Sequence, residues 1–247
     1  MKPEISQLAE VIRSAGRAVM QIRKNGFTVE RKSNESPLTL ADLEANRILK
    51  EYLMERFPDY GWLSEETFDH PDRLLKRALW IVDPIDGTKE FVTGIPEFAI
   101  SVALVRDGNP VMAAVYNPAT EELFTAVRGQ GLRVNGEANR VRRPMGDKPL
   151  LLASRTEMAK GKFKPFEGVA DIKPVGSIAY KLALLAAGRA DAIISLEPKN
   201  EWDIAAGVLL IEESDGKVTD LRGSPLIFNR ADTLVDGIVA AGAGAYD

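Results

Sequence analysis

The chain has 247 residues, 45% hydrophobic and 28% charged, a composition that suits one large globular unit or two small lobes around a sizeable core. The net charge of -4 argues against a nucleic-acid polymer as partner, and with no bilayer-length apolar run and no signal-peptide pattern the expected location is the cytoplasm. The absence of cysteine excludes disulfides, thiolate metal sites and cysteine nucleophiles, and the single histidine, His70, lies in a polar proline-containing stretch that reads as a surface loop, so any hydrolysis has to run on carboxylates and metal.

Ile5, Leu8, Ala9, Ile12, Ala15, Val19 and Ile22 recur at helical spacing, which predicts an amphipathic first helix ended by Asn25-Gly26. A polar, extended stretch from Thr28 to Pro37 follows. Thr39 and Asp42 then form a capping-box pattern, with Asp for the usual Glu, opening a helix that carries Ile48, Leu49, Tyr52, Leu53 and Phe57. Capping alone accounts for Asp42. Tyr60 to Ser64 is a short, largely apolar approach to two adjacent acids, Glu65 and Glu66. Strand alternation lets only one of them face a given site, and a solvent-facing pair is the plain alternative.

The next stretch, Trp80-Ile81-Val82-Asp83-Pro84-Ile85-Asp86-Gly87-Thr88-Lys89-Glu90-Phe91, reads as a buried strand ending in a sharp turn. Pro84 stiffens the turn and Gly87 permits tight backbone, so the Asp83 and Asp86 carboxylates can converge on one hard cation. The Ile85 carbonyl can point the same way, and Thr88 offers a hydroxyl to water or phosphate. Read alone, each Asp also fits an ordinary turn. Strands over 98–105, 111–116, 122–127 and 132–134, separated by Asp107-Gly108, Asn117-Pro118, Arg128-Gly129-Gln130-Gly131 and Asn135-Gly136, predict an antiparallel meander. The basic segment 140–149 reads as a lobe boundary, giving an N-terminal metal-binding lobe over 1–145 and an α/β lobe over 146–247. In the second lobe the pattern predicts a strand at 150–153, a helix opened by Gly176-Ser177, a strand at 190–196, a helix begun by Asp203, and closing strands at 217–221 and 238–241.

Three stretches together resemble the magnesium-dependent, lithium-sensitive phosphatases of the inositol monophosphatase type. These are Glu65-Glu66, Asp83-Pro84-Ile85-Asp86-Gly87-Thr88 with Phe91, and Trp202-Asp203-Ile204-Ala205-Ala206-Gly207 with Leu209, Glu213 and Gly216. The resemblance implies an α/β fold, a layered α-β-α-β-α sandwich, assembled as a homodimer. It implies two or three Mg²⁺ ions held by Glu65, Asp83, Asp86 and Asp203 with the Ile85 carbonyl, and a less direct role for Glu66. Asp42 matches an aspartate bonded to the motif threonine, here Thr88, so that Glu65 and Thr88 orient the attacking water while Asp42 fixes the Thr88 hydroxyl. Attack on phosphorus is then in line, with no covalent enzyme intermediate. The aspartyl-nucleophile phosphatases use Asp-x-Asp, and the Asp-x-x-Asp spacing here does not fit them.

Family members hydrolyse inositol monophosphates, fructose 1,6-bisphosphate, histidinol phosphate or 3′-phosphoadenosine 5′-phosphate (PAP). Lys89-Glu90-Phe91 and Gly176-Ser177-x-x-Tyr180-Lys181-Leu182 look like the bacterial PAP phosphatase (bisphosphate nucleotidase) branch, and Thr93-Gly94-Ile95-Pro96 is also similar to histidinol phosphatases. Gly87 and Thr88, by their amides, and Ser177 meet the substrate, and on the PAP reading Lys181 meets its second phosphate. On the inositol reading an acid near Asp203, Glu197 or Glu201, accepts from ring hydroxyls. A third reading is a relative that acts by contact, as some suppressor-type members bind transcription machinery.

Overall fold

The computed structural model describes residues 4–31, 37–139, 141 and 146–243. The apolar stripe of α1 (Ile5–Asn25) buries Leu8, Val11, Ile12, Ala15 and Val19. A two-stranded ribbon, β1 (Val29–Arg31) and β2 (Pro37–Thr39), leads into α2 (Leu40–Arg56). The expected capping box is present at the start of α2: the Thr39 amide donates to Asp42 Oδ2 at 2.8 Å and Thr39 Oγ1 accepts from Ala41 N at 3.2 Å.

Next come β3 (Gly61–Ser64), β4 (Ala78–Asp86), the short α3 (Thr88–Thr93), β5 (Ala99–Arg106), β6 (Asn109–Asn117), β7 (Glu122–Val127), β8 (Leu132–Val134) and β9 (Glu137–Ala138). Strands β3 to β9 make one seven-stranded sheet in sequence order. The meander from β5 to β8 is antiparallel as expected; β4 and β9 extend it antiparallel at either end, and β3 pairs with β4 in parallel. The crossover between them holds a 3₁₀ turn, Pro71–Leu75, where exposed His70 accepts from Asp72 N at 3.4 Å. That direction is set by the crossover, which local patterning does not report.

Half of the basic segment expected as the lobe boundary, residues 140 and 142–145, lies outside the described residues. After it come β10 (Leu150–Ala153), α4 (Arg155–Ala159), β11 (Asp171–Pro174), α5 (Ile178–Ala186), β12 (Ala192–Ser195), β13 (Lys199–Asn200), α6 (Glu201–Glu212), β14 (Lys217–Asp220), β15 (Leu234–Val235) and β16 (Ile238–Ala241). Five of these strands form a mixed sheet in the order β11-β10-β12-β16-β14.

Alternation along β4 and β5 explains the layering. Trp80, Val82, Ile100, Val102 and Leu104 face α1 and α2, while Leu79, Ile81, Ala99, Ala103 and Val105 face α5 and α6. Helices α5 and α6 are apolar nearly all round because their other side packs on Leu152, Ile193, Ile238 and Ala240 of the five-stranded sheet. Beyond that sheet, Leu151, Ala153, Ala192 and Ile194 pack on Met158, Phe163 and Phe166. The order is α-β-α-β-α. One core therefore joins both sheets through the middle helices.

Candidate active site

The site opens where β4 ends. Opposite β5, Asp83 pairs with Ser101 and Asp86 with Ala99, so three steps on β4 face two on its partner. Residues three apart on a regular strand point to opposite faces, and the extra residue of this bulge returns Asp86 to the face of Asp83. Pro84 lies in the bulge, where a missing ladder donor is tolerated. Gly87 follows with φ 91°, and a Cβ there would stand 3.0 Å from the Glu97 carbonyl and 3.2 Å from Ser177 Cβ.

Asp203 reaches the same place from the middle layer, as the third residue of α6, with Oδ2 accepting from Asn200 N at 2.8 Å. Both roles weighed for it, cap and site residue, are thus compatible, since Oδ1 is not used in the cap. Carboxylate oxygens of Asp83, Asp86 and Asp203 lie within 4.8 Å of one another. Glu65, in the turn after β3, lines the same cleft, of about 720 Å³, whereas Glu66 does not. The cleft is also lined by the Ile85 position, Gly87, Thr88, Lys89, Ser177 and Lys181.

Burial pushes Asp83 and Asp203 well above the usual carboxylate range, and like charge adds to it: Glu65, Asp86, Asp203 and Asp42 for Asp83, and Asp86 and Glu65 for Asp203. Burial also raises Asp86, against the bonds it accepts at Oδ2 from Ser177 Oγ (2.5 Å) and Ala179 N (2.6 Å) and the charge of Lys181. An oxygen-only set of mutually repelling, desolvated carboxylates is the donor chemistry of a hard divalent cation. These residues fit a metal.

Asp42, 1% exposed, also reaches this edge of the cleft. Its Oδ2 takes the Thr39 amide and hydroxyl, and its Oδ1 accepts from Thr88 Oγ1 at 3.2 Å. The Ile85 carbonyl is a competing acceptor for the same hydroxyl at 3.0 Å.

The cleft wall differs from expectation in its cations and acids. Lys181 is 4% exposed and donates to the Val175 carbonyl at 3.1 Å; burial lowers its ammonium to about 8, with Asp86 opposing. Lys89 and Lys199, which the sequence does not single out as cations of the site, line the cleft, and Lys199 Nζ rests on the Glu197 and Pro198 carbonyls at 3.2 Å. Glu197 is held by Lys160 (3.0 Å) and Lys162 (2.6 Å), whose bonds pull its carboxyl down to about 2. Glu201 is fully buried beneath the start of α6, accepting from the amides of Asn229 (2.7 Å) and Arg230 (2.9 Å). It is absent from the cleft lining. Arg155, in the opposite wall, pairs with Glu97 at 2.5 Å.

An acid-lined cleft at the junction of a strand bulge and a helix start, in a five-layered sandwich, is the arrangement of a metal-dependent phosphatase. The match to the model of the inositol monophosphatase family runs over residues 1–246, and the chain belongs to that family. An inositol-1-monophosphatase of Rhizobium meliloti is 42% identical over 193 residues, covering 74% of this chain and 71% of the relative. The crystal structure of the extragenic suppressor protein SuhB from Bartonella henselae superposes with a TM-score of 0.82 at 30% identity, over 97% of this chain and 93% of that one. CysQ of Bacteroides thetaiotaomicron, a bacterial member of the same family, gives 0.82 at 28% identity, over 96% of each chain. Among the described residues no helix is long and apolar enough to cross a membrane.

Proposed function

We propose that the chain hydrolyses PAP to AMP and phosphate, with Mg²⁺ held by Glu65, Asp83, the Ile85 carbonyl, Asp86 and Asp203. Two or three ions are expected, in a homodimeric cytoplasmic enzyme sensitive to lithium. When bound, Mg²⁺ supplies charge neutralisation to the phosphate dianion and acidifies water. The protein side is local. With its proton directed to Asp42, Thr88 Oγ1 keeps lone pairs to accept a hydrogen bond from the attacking water; as the water's proton moves onto Oγ1, the hydroxyl proton passes to Asp42 Oδ1, and Glu65, lining the same cleft, is a further acceptor. Ser177 and the Ala179 amide fix one oxygen of Asp86, leaving the other for the ion.

The observation that carries the substrate is the commitment of the wall's acids and the availability of its cations. Neither acid expected to hold inositol hydroxyls is free to do so: Glu197 is occupied by two lysines and Glu201 is sealed below α6. Lys89 and Lys199, by contrast, have no carboxylate partner among the described residues. The charge of Lys199 already lowers Asp203 against its burial, so this ammonium stands within reach of an anion in the cleft. A second phosphate meets that chemistry. Lys181 is less suited to the same role than the sequence suggests, because it is 4% exposed, whereas Lys199, which also rests on carbonyls, is only half-buried.

The second reading is inositol-1-phosphate hydrolysis, favoured by the 42% identical relative of that name. A kcat/KM panel of PAP, inositol 1-phosphate, fructose 1,6-bisphosphate and histidinol phosphate at fixed Mg²⁺ separates them, with and without millimolar lithium. PAP is expected to lead and lithium to inhibit. An advantage of inositol 1-phosphate of about tenfold, about 1.4 kcal/mol in the transition state, establishes the second reading instead.

A further inference from the structure

The floor of the cleft is carboxylate, but its two walls come from distant parts of the chain. One is the start of α4, Ser154, Arg155 and Thr156; the other is the bend after β12, Glu197, Pro198 and Lys199. Between them, inside the protein, lies Glu157. It is 2% exposed, and Ser154 Oγ accepts its amide at 3.4 Å. The Ser154-x-x-Glu157 spacing is that of a capping box, in which the glutamate turns back onto the amide of the capping residue. Here the side chain turns away. Its Oε1 crosses to the other wall and accepts from Leu196 N (2.9 Å), Glu197 N (2.7 Å) and Ser195 Oγ (3.3 Å).

The bend needs that acceptor. Chain pairing stops at Ser195, and the next two amides are within the interior edge of the cleft with no ladder to join. Three donors on one oxygen fix the peptide planes of 196 and 197, and with them the carbonyls of Glu197 and Pro198 that seat Lys199 Nζ. Oε2 of Glu157 is buried and has no partner among the described residues. A buried orphan carboxylate oxygen is costly, and a helix cap alone does not require one. On the outside, Glu197 is tied back to Lys160 and Lys162 just past α4, so the walls are clasped twice.

We propose that Glu157 is a positioning residue for substrate selection: it sets the spacing of the two cleft walls and the placement of Lys199, without touching the metal carboxylates. The substrate part rests on the phosphatase reading above. The leaving group sits against the walls and the phosphate over the floor, so loosening the bend weakens recognition of a large leaving group and leaves the chemistry at the floor intact.

The test compares PAP with p-nitrophenyl phosphate, a minimal phosphomonoester, in Glu157→Ala, Glu157→Gln and Glu157→Asp. In Glu157→Ala the KM for PAP is expected to rise about tenfold or more with kcat within about threefold, while kcat/KM for p-nitrophenyl phosphate stays within about twofold. Glu157→Gln keeps the accepting oxygen and is expected to behave as wild type. Glu157→Asp withdraws it by one methylene and is expected to behave as the alanine variant, which decides the matter should Glu157→Ala not fold. Amide exchange supplies a readout independent of turnover: Leu196 and Glu197 lose protection in Glu157→Ala and Glu157→Asp and keep it in Glu157→Gln. Equal losses on both substrates, equal impairment of Glu157→Gln and Glu157→Asp, or unchanged exchange at 196–197 each overturn the assignment. Should wild type turn over neither substrate, the phosphatase reading fails, and the exchange arm still decides whether Glu157 holds the bend.

Discussion

Asp42→Asn separates the two duties of one buried carboxylate. Oδ2 must accept, because the Thr39 backbone N–H at 2.8 Å has no way to reverse. An asparagine has a single accepting oxygen, so that oxygen turns to Thr39 and its NH₂ faces Thr88 Oγ1. Thr88 is then driven to donate to the Ile85 carbonyl at 3.0 Å, and its lone pair is spent on the new NH₂ rather than on water. The fold loses little. The cap survives, and exchanging a charged acceptor for a neutral one costs about 1–2 kcal/mol. For a chain of this length that is about 3–6 °C in Tm. Turnover loses much more: removing a positioned proton acceptor costs about 10²–10⁴ in kcat. The assays are steady-state phosphate release at saturating Mg²⁺ and thermal melting in EDTA, with Thr88→Ala and the double variant completing a cycle. On the proposed mechanism both residues serve one proton, so the double variant should be no slower than the worse single one. An Asp42→Asn enzyme within about threefold of wild type, or losses that multiply in the double variant, refutes the reasoning.

Asp83→Asn keeps an acceptor for the Ile85 amide, now 3.0 Å from Asp83 Oδ1, but removes a charge from the repelling cluster, so turnover should be nearly abolished while the fold persists. In EDTA the same variant should melt higher than wild type, with a difference that grows with pH. Asp83 has a raised folded-state pKa, so in the metal-free protein its contribution is fully present below the unfolded value of about 3.8 and is lost as pH rises through the folded one. Melting curves in EDTA between about pH 5 and about pH 8 check it, and a difference that shrinks with pH counts against a desolvated carboxylate cluster. Glu201→Ala leaves two buried amides without their acceptor and removes a buried negative charge near the Arg73 guanidinium, which keeps its pair with Asp69; this should cost about 3–5 kcal/mol, about 10 °C in Tm. Because the Asp203 cap does not involve Glu201, kcat at low temperature should change far less; a collapse of kcat with Tm preserved would give Glu201 a place in the site after all.

Much of this arrangement is legible in the chain, for identifiable reasons. The capping box at Thr39 and Asp42 is a four-residue, local event, and the helical stripes of α1 and α2 follow from periodicity alone. The motif around Asp83 carries its own turn chemistry. What brings Asp83 and Asp86 to one face, however, is a register shift against Ser101, a property of two strands rather than one. The parallel direction of β3 is likewise a matter of crossover. Lys181 looks available because its helix opens beside the site, but α5 is buried nearly all round, which leaves the lysine in the cleft lining only 4% exposed, with its ammonium on the Val175 carbonyl. The five-residue α4 is too short to show a period, and the one local signal it has, Ser154-x-x-Glu157, predicts the wrong partner for the glutamate.

The middle layer also sets a timetable for synthesis. Asp83 and Asp86 leave the ribosome early, yet the carboxylate that completes their cluster is Asp203, on a helix packed between two sheets, the second of which includes β14 and β16 from the end of the chain. A nascent chain lacking α6 carries crowded acids at the end of β4 and an uncovered apolar face on its seven-stranded sheet. A cation that needs all three of these carboxylates can be held only by a chain synthesised through α6, and not by a shorter, prematurely released fragment.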